Sequence, residues 1–274
     1  MNWCKTLLFI GILNLLVISC QQNKKPAAFK VESKPLKEIV ESARLKGAIL
    51  IFDESQNRYY SNDFDWAESG QLPASTFKIP NSLIVIETAT LQGASDTIYW
   101  HGEERMFDSW AEDMTLKDAF FRSCLPCYQQ LTRKMGFANM KKYTSEFEYG
   151  EMVFDSTSFD SFWVKGDSKI NQFQQIEFLR KFYHSELPIS KRTETIVKNM
   201  IREPLGEFQL SAKTGWSIQN EIDNGWYVGF LEAKETTYFF ATNVSPGNGF
   251  DRNDFSAIRK KITMESLKAL GIVN

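Results

Sequence analysis

The feature that most constrains the fold of this chain is a long stretch of helical pattern that separates two groups of strand-like segments. Periodic apolar positions predict mostly helices from residue 76 to residue 198. Short, β-branched apolar runs bounded by turn residues predict two strands before this stretch and three after it. The predicted strands cover residues 48–52, 58–61, 207–213, 225–232 and 236–243. A chain with this order of elements is expected to form a single α+β domain.

Further helical patterns complete the predicted architecture. Helices are expected at residues 36–43, 172–183, 194–200 and 254–270. The five strands are expected to form a central antiparallel sheet that is flanked by helices and carries an inserted all-helical lobe over about residues 76–200. Since 43% of the 274 residues are hydrophobic, the chain can bury one core of ordinary density, and we place the domain at residues 34–274.

The first 19 residues have the pattern of an export signal. Lys5 precedes an apolar run over residues 6–18, and a polar, lysine-rich stretch follows. An uncleaved membrane anchor is the alternative, but about 20 apolar residues are needed to span a bilayer and this run is shorter. We therefore expect residues 1–19 to be removed as a signal peptide.

Residues 17–20, Val-Ile-Ser-Cys, resemble a bacterial lipobox, in which the signal is cut before a cysteine that then carries diacylglycerol. The resemblance implies a lipoprotein whose mature chain begins at a lipidated Cys20, with residues 20–33 as a polar tether to the folded domain. It also implies a location in the bacterial periplasm. Because no aspartate follows Cys20 directly, we expect the lipid to lie in the outer membrane of a Gram-negative host.

The charge balance and the scarcity of histidine exclude several functions. The 32 basic and 34 acidic residues give a formal net charge of -2, which provides no strong attraction for nucleic acid or for an anionic membrane surface. The two histidines, His101 and His184, have no partner at ligand spacing, so no metal site is expected. Membrane contact is expected through the lipid anchor alone, and the sequence is compatible with a homodimer.

Two cysteines remain for the folded domain, because Cys4 leaves with the signal and Cys20 is expected to be lipidated. Cys124 and Cys127 belong to a Cys-Leu-Pro-Cys segment that could be a redox motif. No thioredoxin-like unit of strand and helix surrounds the segment. We therefore favour two buried cysteines that act as small apolar residues, and the redox motif stays as the alternative.

The strongest candidate for a catalytic segment runs from Pro73 to Lys78, with the sequence Pro-Ala-Ser-Thr-Phe-Lys. A proline at a helix start, followed by Ser75 and Lys78 three residues apart, sets both side chains on one face. A serine hydroxyl needs a base to become a nucleophile, and a lysine can be that base only if it is neutral or chemically modified. The apolar neighbours of Lys78 would lower its pKa. On its own, the pair is a weak signal, because a capping serine with a solvated lysine is the more common reason for this spacing.

Two further segments support a nucleophilic site. Residues 123–125, Ser-Cys-Leu, follow in the helical stretch. Residues 213–216, Lys-Thr-Gly-Trp, lie at the end of a predicted strand, where the glycine lets a substrate backbone approach closely. Ser-x-x-Lys together with Lys-Thr-Gly is a mark of β-lactamases and penicillin-binding proteins.

From about Gly47 to the C-terminus, the chain resembles the class D, oxacillinase-type serine β-lactamases of the penicillin-binding and transpeptidase superfamily. Residues 75–78 match the family's Ser-Thr-Phe-Lys, and residues 123–125 match its Ser-x-Val with leucine in place of valine. Residues 149–151 match its Tyr-Gly-Asn with Glu151 in place of asparagine, which introduces a charge. Three more segments resemble family segments: residues 159–163, 175–179 and 226–229.

The resemblance implies the catalytic roles. Lys78 would take up carbon dioxide as an N-carboxylate, with no other cofactor, and would deprotonate Ser75 for acylation and later activate the deacylating water. Trp163 would donate its indole N–H to that carboxylate, although a plain core aromatic is the alternative. Ser123 would relay a proton to the leaving nitrogen, with Lys213 supplying positive charge nearby.

The resemblance also implies the substrate-binding residues: Leu125, Thr214, Gly215, Trp216 and Arg259. The backbone amides of Ser75 and Trp216 would form the oxyanion hole. Thr214 and Arg259 would hold the substrate carboxylate. Strict strand alternation would place Thr214 on the opposite face of the strand from Lys213 and Gly215. Thr214 can therefore bind the substrate carboxylate only if the strand is locally twisted. A solvated basic face is the alternative for Arg259, with Arg252 as the nearest substitute.

Three functions share these motifs. The preferred one is the hydrolysis of β-lactam antibiotics through an acyl-enzyme. The second is a slow-deacylating penicillin-binding peptidase or transpeptidase, and the third is a non-catalytic β-lactam sensor domain. A sensor normally carries a membrane-spanning signalling portion, and the sequence predicts only an N-terminal export signal.

Overall fold

The structure is a computed structural model that describes residues 27–233 and 235–274. It contains the strands β1 (Phe29–Glu32), β2 (Leu45–Asp53), β3 (Arg58–Ser61), β4 (Thr97–Ile98), β5 (Met114–Thr115), β6 (Arg202–Leu205), β7 (Phe208–Gln219), β8 (Ile222–Glu232) and β9 (Thr237–Pro246).

The helices are α1 (Lys34–Ser42), α2 (Phe64–Glu68), α3 (Lys78–Glu87), α4 (Leu116–Phe121), α5 (Leu125–Met135), α6 (Phe137–Glu146), α7 (Gln172–Tyr183), α8 (Lys191–Ile201) and α9 (Phe255–Ala269). Short 3₁₀ turns lie at Ala74–Phe77, Asp108–Trp110 and Arg252–Asp254. In the part of the chain that the structure describes, no helix has the length and apolar character needed to cross a bilayer.

The central sheet has seven strands in the order β1-β3-β2-β9-β8-β7-β6, and the prediction of five antiparallel strands is wrong. The five predicted strands correspond to β2, β3, β7, β8 and β9, which pair antiparallel. The edge strand β6 pairs antiparallel with β7, whereas β1 pairs parallel with β3, so the sheet is mixed. Both added strands have only four residues and are mostly exposed, so they lack the alternating apolar pattern that reveals an inner strand.

Strand β1 lies in the segment that the sequence assigns to the tether. Residues 29–32 follow β3 in register, so the folded part begins before residue 34. The predicted signal peptide and the predicted lipidated Cys20 lie outside the described residues.

The inserted lobe is not all-helical as predicted. Strands β4 and β5 form a separate two-stranded sheet within it. A long irregular segment from residue 147 to residue 171 also interrupts the helices. These strands have only two residues each, too few for a periodic pattern to show in the sequence.

The central sheet is buried on both faces, and the side chains of β2 alternate between two apolar clusters. Leu50 and Phe52 point into the cluster that contains the lobe helices, whereas Ile49 and Ile51 point into the cluster with α1 and α9. Helix α3 runs through the lobe-side cluster and is buried from Lys78 to Ile86. A helix with buried residues on all its sides lies in the interior of the protein. Because Lys78 belongs to the first turn of α3, it is buried with the rest of the helix.

Candidate active site

Ser75 and Lys78 lie where the 3₁₀ turn Ala74–Phe77 leads into α3. The Lys78 ammonium donates a hydrogen bond to Ser75 Oγ, with an Nζ–Oγ distance of 3.0 Å. Ser75 is half-buried, and Lys78 is only 1% exposed. Ala74, just before the serine, has a left-handed backbone with φ 52°, which is a strained conformation for a residue with a side chain. Its N–H donates to the Trp163 carbonyl at 2.6 Å, a contact that helps to hold the turn.

The environment of Lys78 favours the neutral amine. Burial lowers the pKa of Lys78 from 10.5 to about 7. No carboxylate is paired with its ammonium within the described residues. Its Nζ lies 5.1 Å from the centre of the Tyr128 ring on α5. A substantial fraction of Lys78 is therefore unprotonated near neutral pH.

Trp163 lies beside this turn with a polar atom that has no partner. Its ring is fully buried and stacks on Phe77 at 5.3 Å between centroids. Its indole Nε1 is buried and makes no hydrogen bond with any described residue. A buried donor without an acceptor is rare and costly in folded proteins. An acceptor added beside this turn would remove that cost.

A buried hydrogen-bonded triangle under the nucleophile was not assigned a role from the sequence. Thr76 Oγ1 lies 3.1 Å from the Tyr149 hydroxyl, and that hydroxyl donates to Gln175 Oε1 at 3.1 Å. The Gln175 side-chain amide closes the triangle by donating to Thr76 Oγ1 at 2.9 Å. Its three residues lie in family-like segments, at 75–78, 149–151 and 175–179, but no spacing along the chain indicates that they meet. The triangle fixes the residue next to Ser75.

Lys213 projects from β7, and its ammonium is held by its neighbour. Its Nζ lies 3.0 Å from the Thr214 carbonyl oxygen and 3.4 Å from Thr214 Oγ1. The Thr214 hydroxyl is therefore within reach of the Lys213 ammonium, although burial still alternates along β7 at this point. Burial lowers the pKa of Lys213 well below its usual value, and repulsion from Lys78 and Arg259 lowers it further.

Gly215 allows β7 to lie directly against the 3₁₀ turn Ala74–Phe77, which carries the proposed nucleophile Ser75 and is called the nucleophile turn below. A Cβ at this position would lie 3.1 Å from Thr76 Cγ2 and 3.2 Å from the Pro73 carbonyl oxygen. This close approach places Trp216 beside the turn. The Trp216 ring is 38% exposed, and its Nε1 donates to Asp223 at 2.8 Å.

Arg259 is buried, so the alternative of a solvated basic face is wrong. It is only 3% exposed and donates to the carbonyl oxygens of Gly215 and Phe255, the latter at 2.9 Å. Gly225 makes room for it, because a Cβ there would lie 2.8 Å from Arg259 Cδ. Burial lowers the pKa of Arg259 to about 10, which leaves it charged at neutral pH. Arg252, the predicted substitute, is instead exposed and ion-paired with Asp223 at 2.5 Å.

Ser123 and Leu125 lie at the turn between α4 and α5, and both are half-buried. Ser123 has a left-handed backbone with φ 56°. Its hydroxyl makes no hydrogen bond among the described residues. The turn lies between the two lysines, because Tyr128 contacts Lys78 and the Phe120 ring centre lies 5.5 Å from Lys213 Nζ.

Cys124 and Cys127 are buried, as expected, but they form a disulfide and are not simply small apolar residues. Both residues are fully buried. Their Cα atoms lie 5.4 Å apart, because three residues of the first helical turn bring them close together.

Glu151, the charged residue in place of the family's asparagine, is exposed. Its backbone forms an antiparallel bridge with Lys169, with both N–O distances at 2.8 Å. Its charge is therefore solvated. Over residues 27–233 and 235–274, no three His, Cys, Asp or Glu side chains come together in a way that could hold a metal ion.

Comparison with known proteins identifies the family. A model of the penicillin-binding protein transpeptidase domain matches residues 45–268. The β-lactamase OXA-48 of Klebsiella pneumoniae is 36% identical over 229 residues, which cover 83% of this chain and 84% of that protein. The chain belongs to the class D serine β-lactamases.

Other class D enzymes agree with this assignment over nearly the whole chain. The β-lactamase OXA-10 of Pseudomonas aeruginosa is 31% identical over 94% of this chain and 97% of its own length. The crystal structure of a class D β-lactamase from Nostoc is 36% identical and superimposes with a TM-score of 0.82, covering 87% of this chain and 99% of that one. A class D enzyme from Sebaldella termitidis gives a TM-score of 0.83 at 32% identity, covering 90% of this chain and 100% of its own.

Proposed function

We propose that this class D β-lactamase hydrolyses β-lactam antibiotics through an acyl-enzyme formed on Ser75. The observation that carries the proposal is the 3.0 Å contact between Ser75 Oγ and a buried Lys78 whose pKa lies near 7. A nucleophile with a base in hydrogen-bond reach is the arrangement that acyl transfer needs. The relatives named as β-lactamases support the substrate class.

The surroundings of Lys78 fit an N-carboxylated side chain. Only a neutral amine adds carbon dioxide, and desolvation keeps Lys78 partly neutral at physiological pH. The unpartnered Trp163 Nε1 is a donor available to a new carboxylate beside the turn. When present, the carboxylate would act as the general base that takes the Ser75 proton and later activates water.

Other site residues are proposed to carry out separate parts of the acylation step. The backbone amides of Ser75 and Trp216 are proposed to stabilise the tetrahedral oxyanion, since Gly215 brings β7 against the nucleophile turn. The Ser123 hydroxyl, which has no partner among the described residues, is proposed to pass a proton to the leaving nitrogen. Lys213 would supply positive charge beside that path when it is protonated.

Substrate binding is proposed at the end of β7. Thr214 presents its hydroxyl next to the Lys213 ammonium, and the charged Arg259 lies directly behind Gly215. Together they would attract the carboxylate of a β-lactam. Leu125 and the exposed Trp216 ring would form apolar walls of the same cleft.

Lipidation of Cys20 and a periplasmic location at the outer membrane are also part of the proposal. We expect Cys20→Ala to abolish labelling of the protein by radioactive fatty acid and to release the protein from the membrane fraction. An unchanged membrane fraction and label would contradict a lipid anchor at this residue.

The experiment that tests the proposed function is nitrocefin turnover by the chain from Asn23 onward, with and without added bicarbonate. Multiple turnovers that increase with bicarbonate and disappear in Lys78→Ala are expected. A single stoichiometric burst would instead assign the protein to the slow-deacylating penicillin-binding class.

A further inference from the structure

The Cys124–Cys127 disulfide lies directly beside Ser123. Cys124 is the N-cap residue of α5, and Cys127 is the third residue of that helix. Cys124 Sγ also accepts a hydrogen bond from the Cys127 N–H at 3.2 Å. The disulfide therefore closes the first turn of α5 at the point where the chain leaves Ser123.

The position of the Ser123 hydroxyl depends on this turn. Its backbone is left-handed, at φ 56°, and such a conformation persists only where the surroundings hold it. Two backbone hydrogen bonds contribute: Ser123 N–H donates to Phe120 O at 3.1 Å, and Cys124 N–H donates to Ala119 O at 2.9 Å. The hydroxyl itself is bonded to none of the described residues, so the backbone alone sets where it lies.

Arg105 holds the disulfide from the other side. Its side chain is 2% exposed, and its Nη1 donates to the Trp110 carbonyl at 2.7 Å. The same nitrogen lies 3.3 Å from Cys127 Sγ and 3.7 Å from Cys124 Sγ. The Trp110 indole N–H in turn donates at 3.0 Å to the carbonyl of Arg122, the residue before Ser123. The segment 105–110 thus contacts the turn on both sides of Ser123, at Arg122 before it and at the disulfide after it.

A displacement of this turn would change the distance from Ser123 to both buried lysines. Residues on either side of it contact Lys78, through Tyr128, and Lys213, through Phe120. Proton transfer requires the donor and acceptor to be within hydrogen-bond reach, and a shift of about 1 Å can cost a factor of roughly 10² in rate.

We propose that Arg105 and the Cys124–Cys127 disulfide form a brace that positions the Ser123 hydroxyl for acylation, so that breaking the disulfide slows acylation and spares deacylation. The inference rests on the proposed function, because Ser123 matters only if Ser75 is acylated. Arg105, Cys124 and Cys127 are positioning residues in this account.

Reduction by dithiothreitol breaks the brace in the native chain. A dithiothreitol thiolate attacks one sulfur, the S–S bond breaks, and the second dithiothreitol thiol displaces the remaining cysteine from the mixed disulfide. Dithiothreitol is oxidised to its cyclic disulfide, and Cys124 and Cys127 end as two protonated thiols. Both sulfurs are fully buried, so reduction is expected to require opening of the 105–110 segment.

The first variant to test is the double substitution Cys124→Ser with Cys127→Ala in the full chain. Serine keeps an acceptor at the N-cap of α5, and alanine keeps an apolar side chain in the interior. The control is Val40→Ala, which removes buried methyl groups on the opposite face of the sheet and leaves the brace intact. Arg105→Lys is a second test, because it keeps the charge and loses the forked donors.

Acylation is measured by single-turnover stopped flow with nitrocefin, and deacylation by decay of the acyl-enzyme in mass spectrometry. The double variant is expected to lower the acylation rate at least about tenfold and to leave deacylation within about twofold. Arg105→Lys should lower acylation less, and Val40→Ala should change neither rate. A purely structural role of the disulfide would give the double variant and Val40→Ala the same profile.

If the double variant does not fold, the native chain reduced with dithiothreitol tests the same proposal. Alkylation and peptide mass spectrometry establish when Cys124 and Cys127 are thiols, and the acylation rate at that point should fall and return on reoxidation. A reduced chain that acylates at the rate of the oxidised chain overturns the brace while the proposed function stands. An oxidised chain that is neither acylated nor active overturns both.

Discussion

Lys78 and Lys213 are two buried lysines close enough to repel each other, yet the protein holds them differently. Lys78, on the helical side, has one oxygen partner, the Ser75 hydroxyl at 3.0 Å. Lys213, on the sheet side, is held by the carbonyl and the hydroxyl of Thr214 at 3.0 and 3.4 Å. A carbonyl oxygen can only accept a hydrogen bond, whereas a hydroxyl can either donate or accept.

The difference bears on the two roles proposed for these lysines, Lys78 as the base and Lys213 as the cation. The pKa of Lys78 falls to about 7 through burial alone, so this lysine is suited to lose its proton. Burial is also the largest cause of the lowered pKa of Lys213, and repulsion from Lys78 and Arg259 lowers it further. Carboxylation of Lys78 would replace a repelling cation by an attracting anion, which would raise the pKa of Lys213 and favour its charged form.

The largest effect is expected when the two lysines are removed one at a time. Lys78→Ala should lower kcat about 10³-fold, because the proposed general base is lost. Lys213→Ala should lower kcat/KM about 10- to 100-fold, as expected for a charged hydrogen-bond donor. Steady-state kinetics with nitrocefin measure both. Equal losses in the two variants would remove the distinction between base and cation.

Trp163→Phe tests whether the unpartnered indole supports Lys78. The ring and its stacking on Phe77 are kept, and only the donor is lost. We expect kcat without added bicarbonate to fall about tenfold, since a hydrogen bond to a charged group contributes about 1.5 kcal/mol or more. Added bicarbonate should restore part of the loss. Full activity in this variant would make Trp163 a core aromatic only.

Arg259→Met tests a third buried cation, which donates to backbone carbonyl oxygens. Because Arg259 is proposed to attract the substrate carboxylate, its loss should raise KM about fivefold and change kcat little. Michaelis profiles for the native chain and the variant separate the two parameters. A fall in kcat at constant KM would place Arg259 in the support of the nucleophile turn instead.

The last prediction concerns stability instead of activity: its pH dependence in bicarbonate-free buffer, where Lys78 is an amine. Because the folded pKa of Lys78 is about 7 and the unfolded value is 10.5, the unfolded chain binds more protons between these values. The Lys78 contribution to the free energy of unfolding is therefore unfavourable at low pH and is relieved as pH rises from about 7 to 10.5. Urea unfolding should show a steeper rise of stability with pH in the native chain than in Lys78→Met, because the buried Lys213 contributes a slope of the same sign to both. Parallel pH profiles would contradict the lowered pKa.

The five inner strands and the buried nucleophile helix could be predicted because their residues carry local signals. Apolar runs such as residues 48–52 define inner strands, and Ser75 and Lys78 are brought together by helical spacing alone. Edge strands β1 and β6 could not be found, since exposed four-residue strands carry no apolar period.

The parts of the site that the sequence missed depend on contacts between distant segments. Thr76, Tyr149 and Gln175 meet only when the lobe packs under the nucleophile turn. Arg259 lies on α9, and its burial requires the absence of a side chain at Gly225, which lies on β8. Neither feature follows from spacing along the chain.

The central claim, that Lys78 carries a carboxylate, is tested most directly by ¹³C NMR of the protein in ¹³C-labelled bicarbonate. The account predicts a carbamate resonance in the native chain that is lost in Lys78→Ala and retained in Lys213→Ala, and that disappears with activity when bicarbonate is removed. A native chain that turns over nitrocefin without such a resonance would contradict it.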